Sequence, residues 1–156
     1  MWRRAIVTGA GAVPFALTEA APAQNVNAFC ASAGNDDRVK PIPSELVPAA
    51  RHLFELTSNS AARVQESTVF RCMSAKVWLC NHGANLLCAK ADVSRVSKGA
   101  EAYCRESPGS DLVPMVATGH ATIYTWRCLG RKPRIIESRD VDARGFIAKQ
   151  WRPLEQ

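Results

Sequence analysis

Apolar residues recur at three- and four-residue spacing in two segments of the chain, and this spacing predicts two helices. The first is predicted to run over Ser44–Leu56, with Ser44 as its N-terminal cap. The second is predicted to begin at Ser97 or Lys98 and to end at Glu106, where the sequence Ser-Pro-Gly follows. Helical elements are therefore expected in both halves of the chain.

Alternating apolar and polar residues predict a hairpin whose strands cover 68–73 and 76–80, with Ser74 and Ala75 in the turn. This register places Cys72 opposite Val77 and makes the two faces of the hairpin distinct. The face predicted to meet the core carries Phe70, Cys72, Val77 and Leu79, and the other carries Val69, Arg71, Trp78 and Cys80.

Three further strands are predicted in the second half of the chain, at 112–118, 122–129 and 134–138. The segment 141–154 fits a short helix and a closing strand equally well. Helices, a hairpin and a run of strands within 156 residues predict a small single α+β domain. It is expected to have an antiparallel sheet and two short helices, and to be stapled by disulfides.

The first 23 residues have the three parts of a secretory signal peptide. Arg3 and Arg4 precede an apolar run of 13 residues, and Ala21-Pro22-Ala23 provides small residues for cleavage. The run would span roughly 20 Å of a hydrocarbon core of about 30 Å, so the mature chain is not expected to span a membrane. The paired arginines also resemble a twin-arginine leader. Residues 24–43 are then predicted to form an extended arm, and residues 44–156 the folded domain.

Six cysteines, at positions 30, 72, 80, 88, 104 and 128, are an even number, which after an export signal predicts three disulfides. Their spacing lacks the close pairs of a zinc site, so no metal is expected. Spacing alone leaves the connectivity open. The pairing favoured from the predicted elements is Cys88–Cys104, Cys72–Cys128 and Cys30–Cys80.

Most of the formal net charge of +6 is concentrated between Arg127 and Arg152, where eight basic residues outnumber three acidic ones. Such a segment favours an acidic partner, either an acidic protein or a component of the cell envelope. A solvated strand face and turn would give the same charge pattern. Nucleic acid is not an expected partner, because no nucleic-acid-binding module is recognisable. The candidate binding residues here are Arg127, Arg131, Lys132 and Arg134, with Trp126 among them.

Two histidines, His82 and His120, lie beside glycines in predicted loops, where side chains are available for binding or for acid–base chemistry. The sequence has none of the ordered motifs of hydrolases, zinc proteases or nucleotide-binding enzymes, and no cofactor is indicated. A non-enzymatic periplasmic binding or accessory protein, inhibitor-like or associated with the envelope, is therefore the favoured function. The alternative is a small periplasmic hydrolase or cofactor enzyme that uses His82 or His120.

Several short strings along residues 40–154 resemble a family of small exported proteins of unknown function from Gram-negative bacteria, chiefly alphaproteobacteria. They are Thr68–Cys72, Cys80, Gly83–Leu86, Cys88–Asp92, Tyr103-Cys104, Val116–Cys128, Val141–Phe146 and Trp151. The resemblance implies residence in the periplasm and a disulfide-bonded fold. It implies no activity that can be assigned to particular residues.

Overall fold

A computed structural model describes residues 25–83 and 87–155, and the predicted signal peptide lies outside these ranges. Its α-helices are α1 (Val26–Ala33), α2 (Val47–Leu53), α3 (Ala61–Ser67), α4 (Lys98–Glu106) and α5 (Met115–Thr118). Its strands are β1 (Asp36–Pro41), β2 (Thr68–Met73), β3 (Lys76–Asn81), β4 (Tyr124–Leu129), β5 (Lys132–Ser138) and β6 (Arg152–Pro153). Short 3-10 turns at Ser44–Leu46 and Ala148–Gln150 precede α2 and β6.

The strands form two antiparallel sheets, one of four strands in the order β1-β2-β3-β6 and one made of the β4–β5 hairpin. The predicted register of the β2–β3 hairpin is confirmed, since Cys72 pairs with Val77 and Phe70 with Leu79. The predicted α+β fold, a small single domain cross-linked by disulfides, is also confirmed.

Both faces of the four-stranded sheet are covered. Phe70, Cys72, Val77 and Leu79 pack against the helices of the N-terminal half, as the alternation predicts. The opposite face packs against the C-terminal segment, which contributes Phe146 and Trp151. Arg71 and Cys80 on that face are therefore 0% exposed. Period-two alternation identifies which residues share a face but cannot show that a later segment covers the second one.

The three disulfides are Cys30–Cys72, Cys80–Cys88 and Cys104–Cys128. Oxidation of all six cysteines agrees with the prediction, but the favoured pairing, Cys88–Cys104, Cys72–Cys128 and Cys30–Cys80, is wrong in all three bonds. Each bond lies in a different buried cluster and links elements that pack on each other. The pairing follows this packing, which spacing along the chain does not determine.

The local elements depart from the sequence predictions at four places. The expected arm 24–43 contains α1, whose N-cap Asn25 accepts backbone N–H groups through its side chain, before the edge strand β1. Ser60 caps α3, a helix that was not predicted. Ser44 caps nothing, because a 3-10 turn precedes α2. The strand predicted at 112–118 is wrong, because residues 112–114 form no strand and Met115–Thr118 form the single helical turn α5.

Gly99 allows α4 and α5 to lie against each other. A Cβ atom at this position would lie 1.7 Å from the carbonyl oxygen of Ala117. A side chain there would force the two backbones apart, and this costs packing energy because the neighbouring atom is backbone and cannot rotate away. Gly99 therefore sets the position of α4, which forms one wall of a surface groove.

The β2–β3 turn has an unusual composition that yields a stability prediction. Ser74 and Ala75 both have positive φ, 53° and 60°, as the two central residues of a type I′ turn require. The left-handed region costs a non-glycine residue about 1–2 kcal/mol. Glycine avoids this cost, but it loses more conformational entropy on folding, so only part of the gain is kept. We expect Ala75→Gly to raise the free energy of unfolding in urea by about 0.5 kcal/mol.

The control for this prediction is Ala102→Gly in the middle of α4, where glycine is expected to lower the free energy of unfolding by about 1 kcal/mol. Both variants should keep the hydrogen bond that the backbone N–H of residue 75 donates to the carbonyl of Gly34, at 2.7 Å in the native protein, because it involves only backbone atoms. A loss of stability in Ala75→Gly similar to that in Ala102→Gly would contradict the left-handed turn.

Candidate anion-binding groove

A groove of about 750 Å³ lies between α4, with the loop that precedes it, and the β4–β5 hairpin. This volume is within the range of ligand sites in proteins. The residues that line it come from two distant parts of the chain. They are Arg95, Val96, Ser97, Glu101, Arg105, Trp126, Arg131, Lys132, Pro133 and Arg134.

The two walls of the groove are joined by a disulfide and a small buried cluster. Cys104 on α4 is bonded to Cys128 on β4, and Ala100 packs with Trp126 in the same cluster. The side chain of Ser97 accepts the N–H of Ala100, which fixes the start of α4 as predicted. The walls are thus held by covalent and packing contacts that do not involve the charged side chains.

The groove is strongly cationic. Five basic residues line it: Arg95 and Arg105 on the helical wall, and Arg131, Lys132 and Arg134 on the hairpin. Glu101 is the single acidic residue of the lining. Within residues 25–83 and 87–155, none of the five forms an ion pair. A cleft lined by charges of one sign concentrates its field and attracts counter-ions.

Some cations outside the groove have carboxylate partners. Arg71 is paired with Asp142, and Asp37 accepts from both Lys90 and Arg144. The hydrogen bond from Arg144 holds the pKa of Asp37 below its usual value, so this carboxylate remains charged. Seven of the 18 basic residues described form ion pairs, and of the eleven that form none, five border this one groove.

The hairpin displays its basic residues because of its register. Gly130, with a φ of 57°, lies first in the two-residue turn, so Arg131 projects from the tip. Arg127 lies directly opposite Arg134. Like charges opposite each other destabilise a strand pair. Arg127 donates to Asp111 at 3.1 Å, whereas Arg134 is exposed and borders the groove.

Trp126 forms part of the groove and is only 4% exposed. Its ring lies edge-on to that of Tyr124, with 5.9 Å between the centroids. Its buried indole N–H has no acceptor among the described residues.

The basic C-terminal segment does not form one face, and the structure divides it. Arg131, Lys132 and Arg134 border the groove with Trp126, whereas Arg127 does not. Arg144 is bound to Asp37, and Arg139, Lys149 and Arg152 lie around a second, smaller groove of about 370 Å³. The predicted binding residues are therefore brought together only in part.

Sequence reasoning missed Arg95 and Arg105, which supply the opposite wall. Both precede the basic segment, and neither stands in a charge cluster of its own. The signal that could have identified them is the Cys104–Cys128 bond, because it places Arg105 beside the hairpin. The favoured pairing of Cys104 with Cys88 is wrong, and it placed α4 beside residue 88 instead of beside the hairpin.

The two loop histidines do not belong to this groove. His82 is exposed just after β3, where its backbone N–H donates to the carbonyl of Ser67 at 2.6 Å. His120 is half-buried after Gly119, at the end of α5. Catalysis through either histidine remains a prediction that no observed contact supports.

In the described parts of the chain, no group of three or more His, Cys, Asp or Glu side chains is arranged to hold a metal ion. The helices described are too short or too polar to cross a membrane. Comparison of the chain with protein-family models, curated proteins and solved structures gave no match.

Proposed function

We propose that this protein is an exported, non-enzymatic binding protein whose groove binds an acidic segment of a partner protein. The observation that carries the proposal is the set of five cations that border one groove without a carboxylate partner in the described structure. Complementary charge at a binding site speeds association and disfavours partners of the wrong sign. The same groove residues include four of the candidates named from sequence: Arg131, Lys132, Arg134 and Trp126.

The composition of the groove favours carboxylates on a polypeptide as the ligand. Four of the five cations are arginines, whose planar guanidinium groups bind carboxylates through two parallel hydrogen bonds. The exposed Val96 and the half-buried Pro133 add apolar surface between these charges. A chain that combines acidic and apolar side chains matches both kinds of contact.

Export is supported by two independent features. The signal peptide predicted at residues 1–23 would direct the chain out of the cytoplasm. Three disulfides are typical of proteins that fold in oxidising compartments such as the periplasm. The resemblance to exported proteins of Gram-negative bacteria agrees with this proposal.

The test uses the exported protein with its disulfides oxidised and a fluorescein-labelled octapeptide of alternating Glu and Val. We expect binding, followed by fluorescence anisotropy, to weaken as salt rises, because exposed charges are screened beyond about 8 Å at physiological ionic strength. The triple variant Arg131→Glu, Lys132→Glu, Arg134→Glu should weaken binding at low salt at least about tenfold. All three residues are exposed, so the fold should survive.

A matched variant, Arg63→Glu, Lys76→Glu, Lys149→Glu, makes the same change in net charge at exposed positions away from the groove. It should retain most of the binding. Equal losses in the two triple variants would mean that only net charge matters and would overturn the proposed site. A lack of binding by the unmodified protein at low salt would overturn the function itself.

A further inference from the structure

We propose that the acidic segment binds as an additional β-strand on the free edge of β5, with its carboxylates beside the cations of the groove. This inference rests on the proposed function and specifies how the ligand is held. Main-chain hydrogen bonds to an exposed strand edge are a general means of binding an extended peptide.

The two edges of the β4–β5 hairpin differ. On the β4 side, the N–H of Val113 donates to the carbonyl of Trp126 at 2.8 Å, and the N–H of Cys128 donates to the carbonyl of Ser110 at 2.7 Å. The backbone of β5, in contrast, bonds with β4 and with no other described segment. The outer side of β5 is thus the edge that an incoming strand can use.

The groove meets the end of this edge that lies next to the β4–β5 turn. Three consecutive residues of β5, Lys132, Pro133 and Arg134, all border it. Successive side chains of a strand point to opposite faces, so a groove on one face alone would meet only every second residue. Contact with all three places the groove at the side of the strand, where backbone groups are accessible.

The register shows which backbone groups face the groove. Leu129 and Lys132 flank a two-residue turn, so they form the closing hydrogen-bonded pair, and Arg134 bonds with Arg127 one pair further along. The carbonyl of Pro133 and the N–H of Ile135 therefore point outward, just before the register irregularity that leaves Ile136 without a partner between Ile135 and Glu137. The outward directions observed on β4, the N–H of Cys128 and the carbonyl of Trp126, agree with this alternation.

Pro133 makes the edge selective. Proline has no N–H, and it is tolerated at this position because it faces away from β4. The edge then offers the carbonyl of Pro133 and the N–H of Ile135. An incoming strand can pair with this edge only when it places an N–H beside the carbonyl and a carbonyl beside the N–H. The flanking Lys132 and Arg134 favour acidic side chains on such a strand.

The test compares three forms of the Glu-Val octapeptide: unmodified, N-methylated at every Glu, and N-methylated at every Val. An added strand directs only alternate N–H groups toward its neighbour. We therefore expect one methylated peptide to bind at least about tenfold more weakly and the other to bind like the parent. Equal binding by all three, or equal losses in both methylated forms, would overturn strand addition. Salt-dependent binding lost in the groove variant would still support the proposed function.

Hydrogen exchange provides a second readout on the protein itself. Saturation with the unmodified peptide should slow exchange of the Ile135 amide at least about tenfold, because that N–H would gain a hydrogen bond. The amide of Arg134, already bonded to β4, serves as the internal control and should change little. An unchanged Ile135 amide in the presence of bound peptide would also overturn the inference.

Discussion

Arg71→Met is expected to lower the free energy of unfolding by about 3–5 kcal/mol, with a fall in Tm of roughly 10–20 °C. Arg71 is 0% exposed, and its guanidinium carbon lies 4.1 Å from the ring centroid of Phe146 and 4.6 Å from that of Trp151. The guanidinium donates to the carboxylate of Asp142. Removal of the cation would leave this half-buried carboxylate without its partner.

Asp142 has a second role that increases the expected effect. Its side chain also accepts the backbone N–H groups of Arg144, at 2.8 Å, and Phe146, at 3.1 Å, and so shapes the loop that covers the sheet. Burial lowers the pKa of Arg71, and Asp142 opposes that shift by stabilising the charged form. The pair therefore couples the β2–β3 hairpin to the C-terminal segment.

A double-mutant cycle measures this coupling by urea denaturation. Asp142→Asn should also destabilise, and the combined Arg71→Met, Asp142→Asn variant should lose less than the sum of the two single losses, because neither charge is then left alone. Arg63→Met breaks the exposed pair with Glu66 and should cost less than about 1 kcal/mol. Strictly additive losses in the cycle would refute the coupling.

Removal of single disulfides should destabilise in the order Cys30–Cys72, Cys104–Cys128, Cys80–Cys88. Their sequence separations are 42, 24 and 8 residues. Closure of these loops in the unfolded chain corresponds to roughly 4, 3.5 and 2.5 kcal/mol in the chain-entropy description. Paired Cys→Ala variants, unfolded in urea without reductant, should show this order in the free energy of unfolding.

The connectivity can be checked separately by proteolysis without reduction, followed by mass spectrometry. We expect peptides linked through Cys104 and Cys128, and none linked through Cys88 and Cys104. The variant Cys88→Ser, Cys104→Ser should then destabilise more than removal of either affected bond, because it breaks two disulfides. Recovery of a Cys88–Cys104 peptide from the native protein would contradict the structure.

The sequence by itself determined the elements whose signals are local. The β2–β3 hairpin has its predicted register because alternating residues and a two-residue turn act between neighbours in the chain. The helix α4 follows its Ser97 cap and its Ser-Pro-Gly end. The even number of cysteines indicated oxidation of all six, and the basic hairpin identified Arg131, Lys132 and Arg134 as exposed cations.

Only the tertiary structure decided how these elements combine. The Cys104–Cys128 bond and the packing of Trp126 bring Arg95 and Arg105 to the hairpin, because contacts between distant segments depend on which apolar faces cover each other. The same packing buried Arg71 beneath the C-terminal segment. Alternation along β2 places Arg71 only on the face opposite Phe70 and Cys72, and it does not show that this face is covered. Local patterns specify the faces of strands and helices, whereas burial and disulfide pairing depend on the partner that each face meets.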